Sequence, residues 1–191
     1  MIGDSRRLRR DNLIQLMGSL EQEGTSCRDC SGVCCTFVGN SMQITPLEAW
    51  DLHLYLVMEK RWTVGLEERL LETIKNFRLD QPVPSNGLRN FARRRYTCPF
   101  FKDQALGCSI APEWKPYGCL GFNARSGGVK DGENCSSRLD ALEAREHLDP
   151  NEANDNNVLR EKYQWSWQKL SIPEALMAIS QEIPFNQSPH N

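Results

Sequence analysis

The sequence predicts a mainly α protein with a small irregular cysteine-rich metal-binding core, an α+β arrangement with few short strands. Three observations predict it. Two stretches, 46–60 and 64–78, carry apolar residues at helical spacing. Eight cysteines fall in two groups: Cys27, Cys30, Cys34 and Cys35, then Cys98, Cys108, Cys119 and Cys135. The region that holds the second group, 89–135, reads as compact and irregular, with short strands at best.

Composition narrows the class. The chain has 191 residues, enough for one sizeable domain or one domain with appendages. Charged residues make up 25% and hydrophobic ones 39%, which suits a globular chain and excludes wholesale disorder. A net charge of −2 gives no general attraction to nucleic acid or to a membrane surface. No run reaches the roughly 18–20 apolar residues of a membrane span. Arg6, Arg7, Arg9 and Arg10 are followed by neither an apolar segment nor a small-residue cleavage site. No secretory signal is therefore read, and a cytoplasmic location is expected. In a reducing compartment eight thiols point to metal binding or redox chemistry; in a secreted chain they would form a disulfide framework.

The elements follow in order. Residues 1–23 are expected to form an N-terminal helix, with Leu13, Leu16, Met17 and Leu20 on one face and Gly24 as its stop. A cysteine-cluster domain then spans 24–148, with a helical hairpin, 46–78, inserted between the two cysteine groups. A short strand is expected within 37–44. Thr45, Pro46 and Glu48 form a capping box with proline at the first helical position. The predicted inner stripe of that helix is Leu47, Trp50, Leu54, Val57 and Met58. The second helix has Leu66, Leu70, Ile74 and Phe77 in register. Residues 80–87 are a loop by composition, and a helix is expected at 137–148. The span 149–191 is read as a polar linker, 149–157, a Trp-rich segment with Trp165 and Trp167, a short helix from Pro173 and a frayed tail.

The chemistry lies in the cysteines. Cys27-x2-Cys30 is a knuckle spacing that lets both sulfurs meet one ion. Redox pairs share it, but they open a helix after a strand, and here a helix precedes. Cys34 and Cys35 are adjacent, and adjacent side chains tend to point apart. The expectation is that one of them joins the shell of Cys27 and Cys30. Eight thiols would supply two closed zinc sites, and four would hold one iron–sulfur cluster, so zinc and a 4Fe–4S cluster both remain open. Arg28, Arg93, Arg94, Arg95 and Lys115 lie near cysteines in sequence and could offset thiolate charge. A solvated basic face explains the run from Arg89 to Arg95 equally well, and one short patch does not argue for a nucleic-acid partner. His53 reads as a surface histidine, His147 as a helix-end residue and His190 as part of the tail. Trp165 and Trp167 are expected to pack on the core, or, if exposed, to meet a protein partner. No Ser/His/Asp set, phosphate loop or paired-carboxylate arrangement stands out. If a metal ties the halves together, sulfurs from both should share one pocket, with backbone turns at Gly32 and Gly107 beside it.

These residues resemble the YkgJ-type cysteine-cluster family, described as a zinc- or iron-chelating domain. The family's hallmark is Cys-x2-Cys-x2/3-Cys-Cys, followed by Cys-Pro-Phe, Cys-x-Ile and Arg-Pro-x-x-Cys patterns and a last cysteine. The resemblance runs through Cys27, Cys30, Cys34, Cys35, Cys98, Cys108 with Ile110, Cys119 and Cys135, over roughly 24–136. The helix start at Thr45, Pro46 and Glu48 also looks like the family. It implies that all eight cysteines serve metal, zinc or iron. The family's Arg-Pro is Lys115-Pro116 here, and lysine lacks arginine's bidentate fork. Pro112 and Trp114 have no assigned role, and the region after 149 has no counterpart. A flagellin lysine methylase is similar in its cysteine motif. That similarity implies an alternative, an iron–sulfur-dependent redox or protein-modifying enzyme or its partner, although no methyl-donor fingerprint is present.

Overall fold

The computed structural model describes residues 11, 13–16, 18–19, 22, 32–82, 93–102, 107–124, 135–137 and 149–182. The elements are β1 (Gln43–Ile44), α1 (Pro46–Met58), α2 (Val64–Phe77), α3 (Tyr117–Leu120), β2 (Phe122–Ala124), β3 (Cys135–Ser137), α4 (Asp149–Lys162), β4 (Leu170–Ser171) and α5 (Ile172–Glu182). Short 3-10 turns lie at Val33–Cys35 and Pro112–Trp114. Among the described residues the protein is mainly helical with a few short strands, as expected. No helix there is long and apolar enough to cross a membrane. The expected helix at 137–148, the loop at 83–87 and the tail from 183 lie outside the described residues. So does much of the first helix, although its described residues are helical and Leu13 packs with Tyr117 and Leu120.

α1 starts as its sequence dictates. The Thr45 hydroxyl accepts the Glu48 N–H at 3.3 Å, and Glu48 Oε2 accepts the Thr45 N–H at 2.9 Å. The Leu47 N–H, which has no partner within its own helix, donates to Asn156 Oδ1 at 3.0 Å. The inner face of α1 differs from the predicted stripe. Leu52 and Leu56 are fully enclosed, Trp50, Leu54 and Val57 are half-buried, and Met58 is exposed. The reason is that α1 is covered by both α4 and α5, so burial extends around the helix and takes in Asp51 and His53. α2 is capped by Thr63 and ends where Arg78 turns left-handed at φ 52°. Leu66 and Leu70 are buried, while Ile74 and Phe77 are half-buried toward its end. Both helices lie chiefly against α5, which takes the place of the direct pairing expected of a hairpin.

The run 149–157, expected as a linker, is the first part of α4. Its polar residues are used in hydrogen bonds: Asn156 caps α1, and the buried Glu152 accepts from the Tyr117 hydroxyl at 3.2 Å. Leu159 joins the core. β4 pairs antiparallel with β1, Ile44 opposite Leu170. Trp165 and Trp167 pack on the core as expected, in a series of rings running Trp50, Tyr163, Trp165, Trp167. The helix from Pro173 is present as α5, which contributes Ile172, Leu176 and Ile179 to the same core as Leu52 and Leu56. Burying each such side chain stabilises the fold by about 1.5–3 kcal/mol.

Candidate metal centre

The centre is built on two turns that meet. In the first, Gly32 sits at φ +72°, and a Cβ there would drive into the Phe101 ring. Glycine is the residue that adopts this conformation at low cost and admits the ring. The chain then winds tightly, with the Cys35 N–H donating to Gly32 O at 2.6 Å. This brings the Cys34 and Cys35 sulfurs to 4.0 Å from each other. The turn thus overcomes the divergence expected of adjacent side chains. Two sulfurs on one tetrahedral zinc sit about 3.8 Å apart.

The second turn begins at Cys98. Its N–H donates to Cys35 O at 2.7 Å, and the Tyr96 N–H donates to Asn40 O at 3.0 Å, so 96–98 runs beside 35–40. Below it, the Tyr96 hydroxyl donates to Met42 O at 2.7 Å and accepts the Ile172 N–H at 3.1 Å. The chain after Cys98 folds back, Phe101 bridging to Cys108, with Gly107 at φ +89°. The Phe101 N–H donates to the Cys98 carbonyl oxygen at 3.0 Å, and the Ile110 N–H donates to the Cys108 sulfur at 3.4 Å. Arg61 holds this turn: its guanidinium donates to Ser109 O at 2.7 Å and to Ser109 Oγ at 2.9 Å. Trp114, unplaced by the sequence, stacks on Tyr55 with ring centres 5.4 Å apart.

Cys119 lies on α3. Glu48 Oε1 accepts the Tyr117 N–H at 3.0 Å, so the residue that caps α1 also anchors the start of α3. Cys135 is on β3, with Ala124 of β2 as its register partner, and is half-buried. Cys27 and Cys30 lie outside the described residues. Arg28 does too.

The electrostatics couple the two halves. The Cys34 thiol is pushed far above the ordinary thiol range, first by its hydrogen bond with Cys35, then by burial and by the Cys35 charge, with Lys115 opposing. Burial raises the Cys98 thiol to about 12, helped by charge on Cys108 and Cys34. Cys119 is raised mainly by burial and then by Cys98, Cys108 and Cys34, again with Lys115 opposing. Sulfurs from both cysteine groups therefore sit within electrostatic reach of one another, beside left-handed turns at Gly32 and Gly107. Among the described residues, however, no three His, Cys, Asp or Glu side chains are grouped so as to hold a metal ion. The two findings concern different ranges, since charges in a low-dielectric interior act beyond the radius of a ligand shell. The donor chemistry fits a soft or borderline cation: thiols that repel one another when ionised, a backbone donor at the Cys108 sulfur, and one buried lysine opposing them.

The other expected cations act elsewhere. Arg94 donates to Gln81 O and Pro82 O, and Arg95 donates to Val38 O, while Arg93 is exposed. His53 is a correction. It is buried, edge-on to Trp62 with ring centres 4.5 Å apart, because α1 is covered on that side too. Sequence reasoning missed Arg61 and Tyr96, whose partners are far along the chain, and nothing local marks either. No family model matches the chain, and comparison with curated proteins and with solved structures likewise yields no match.

Proposed function

We propose that the protein chelates a metal, zinc or iron, including an iron–sulfur cluster, through its cysteines. Cys34, Cys35, Cys98, Cys108 and Cys119 provide sulfurs from both halves, and Cys27, Cys30 and Cys135 complete the set. The observation that carries this reading is the hydrogen bond from the Cys98 N–H to Cys35 O at 2.7 Å, which joins two cysteine groups far apart in sequence beside the buried Cys98. The resemblance to the cysteine-cluster family supports it from the residues alone. Metal binding would then contribute directly to folding, since ligands scattered over the unfolded chain form no site.

Elemental analysis of full-length protein purified without oxygen tests the reading. We expect near-stoichiometric zinc or iron per chain. Less than about half an equivalent of any transition metal would overturn it, because a structural site should be nearly full. The same sample separates the two metals: a colourless protein rich in zinc assigns mononuclear sites, and visible absorbance with iron and sulfide assigns a cluster.

A further inference from the structure

The Cys34 and Cys35 sulfurs lie 4.0 Å apart in a hydrogen bond. One S–H donates and the other sulfur accepts; the bond favours the acceptor as thiolate, the nucleophilic form. The backbone keeps the two together. They end the 3-10 turn Val33–Cys35, which the Cys35 and Thr36 N–H groups close onto Gly32 O at 2.6 and 3.2 Å. Both cysteines are half-buried, whereas Cys98, whose N–H meets Cys35 O, is buried. A small solute therefore meets the adjacent pair more readily than it meets Cys98.

A redox-sensing thiol combines access, thiolate character and a second thiol that resolves its first oxidation product. We propose that Cys34 and Cys35 are a reversible oxidation site for hydroperoxides, closing to a disulfide between neighbours. First the thiolate attacks the O–O bond, which breaks. The sulfur keeps one oxygen as a sulfenic acid, and the other leaves, with a solvent proton, as water or an alcohol. Then the neighbouring thiol attacks that sulfur. An S–S bond forms, the S–O bond breaks, and the hydroxyl leaves as water with the thiol's proton. The pair loses two electrons and the hydroperoxide gains them. To bond, the sulfurs must approach by about 2 Å. Neighbouring Cα atoms are about 3.8 Å apart, below the roughly 4.4–6.8 Å usual for disulfides. The product is therefore strained, and strained disulfides are the readily reduced ones, which makes the oxidation reversible. Its consequence for metal rests on the chelation reading: joined sulfurs no longer offer thiolates as ligands.

Peptide mapping of the full-length protein by mass spectrometry tests it. The protein is treated with about one equivalent of hydrogen peroxide, with and without a chelator of zinc and iron, and the remaining thiols are capped with N-ethylmaleimide in denaturant. The peptide holding Cys34 and Cys35 should lose two hydrogens and take no cap at either residue. Fragmentation between Cys30 and Cys34 should place the loss on the adjacent pair, and dithiothreitol should restore both thiols. Cys34→Ser and Cys35→Ser should each lose the disulfide and leave a sulfenic acid that dimedone traps. Sulfinic acid at either residue of the natural protein, a disulfide from either to any other cysteine, or intact thiols in the presence of chelator would overturn the proposal. So would a pairing pattern equal to that of protein oxidised in denaturant, since the fold would then select nothing. The two readings fail separately. A metal-free preparation that still forms this disulfide overturns chelation alone; a metal-replete one that forms none, even with chelator, overturns the oxidation site alone.

Discussion

His53 shows how a single burial sets a pH dependence. Desolvation holds its imidazole at about 4, against an ordinary value of 6.5, so the folded protein keeps it neutral. The unfolded chain takes up the proton at the ordinary value and the folded chain only near 4. Between those values the unfolded state binds more protons, so stability is complete above the ordinary value and is lost as pH falls toward 4. The shift corresponds to at most about 3 kcal/mol. Urea unfolding of the natural protein and of His53→Gln, followed from about pH 7 down to 4, should therefore diverge, the natural protein losing up to that much more. Parallel curves would show that His53 is solvated in the folded protein. Every other acid-sensitive group is common to both proteins, so the difference between them isolates this residue.

At the scale of elements, Glu48 joins two helix starts. One oxygen closes the capping box of α1 and the other accepts the first N–H of α3, which carries Cys119. Glu48→Ala removes the cap and leaves a buried N–H without its acceptor. The two effects together should cost about 2–4 kcal/mol in denaturant unfolding. A loss no larger than that of an ordinary surface cap, about 1 kcal/mol, would show that the Tyr117 bond contributes nothing. Half of this arrangement was legible in the sequence. The capping box is local, so Thr45, Pro46 and Glu48 announce it; the Tyr117 N–H is 69 residues away and nothing near Glu48 points to it. The same division holds elsewhere. α1, α2 and α5 follow from periodicity and caps, and the left-handed turns follow from Gly32 and Gly107 beside cysteines. The inner face of α1 was misread because α4 covers it, and α4 was misread because an asparagine-rich run resembles a linker. Only packing reveals that Asn156 serves as an acceptor for another helix. Of the candidate site, the cysteines stand out in the sequence, while the residues that support their turns, Arg61 and Tyr96, do not.

The whole molecule depends on its last 43 residues, 149–191, more than the cysteine pattern suggests. All eight cysteines lie before residue 149, which makes 24–148 look like a sufficient unit by motif alone. The packing argues otherwise. Ile172, Leu176 and Ile179 are at most 1% exposed and sit in one core with Leu52, Leu56, Leu66 and Leu70. Those three side chains account for about 5–9 kcal/mol of burial, comparable to the net stability of about 5–15 kcal/mol of a typical domain. β4 also supplies the only strand that pairs with β1 among the described residues, and the Ile172 N–H completes the Tyr96 hydroxyl beneath the cysteine turns. Removing 149–191 would therefore expose the inner faces of α1 and α2 and loosen the support of Cys98. We predict that a chain ending at 148, supplied with zinc or iron, shows no cooperative unfolding transition by circular dichroism, whereas the full chain does. Metal can offset part of the loss, since ligation itself favours the folded state. It cannot rebuild the apolar contact that α5 makes with both α1 and α2. A truncated chain that binds metal stoichiometrically and unfolds cooperatively would show that the cysteine region folds by itself, with the C-terminal helices as additions to it.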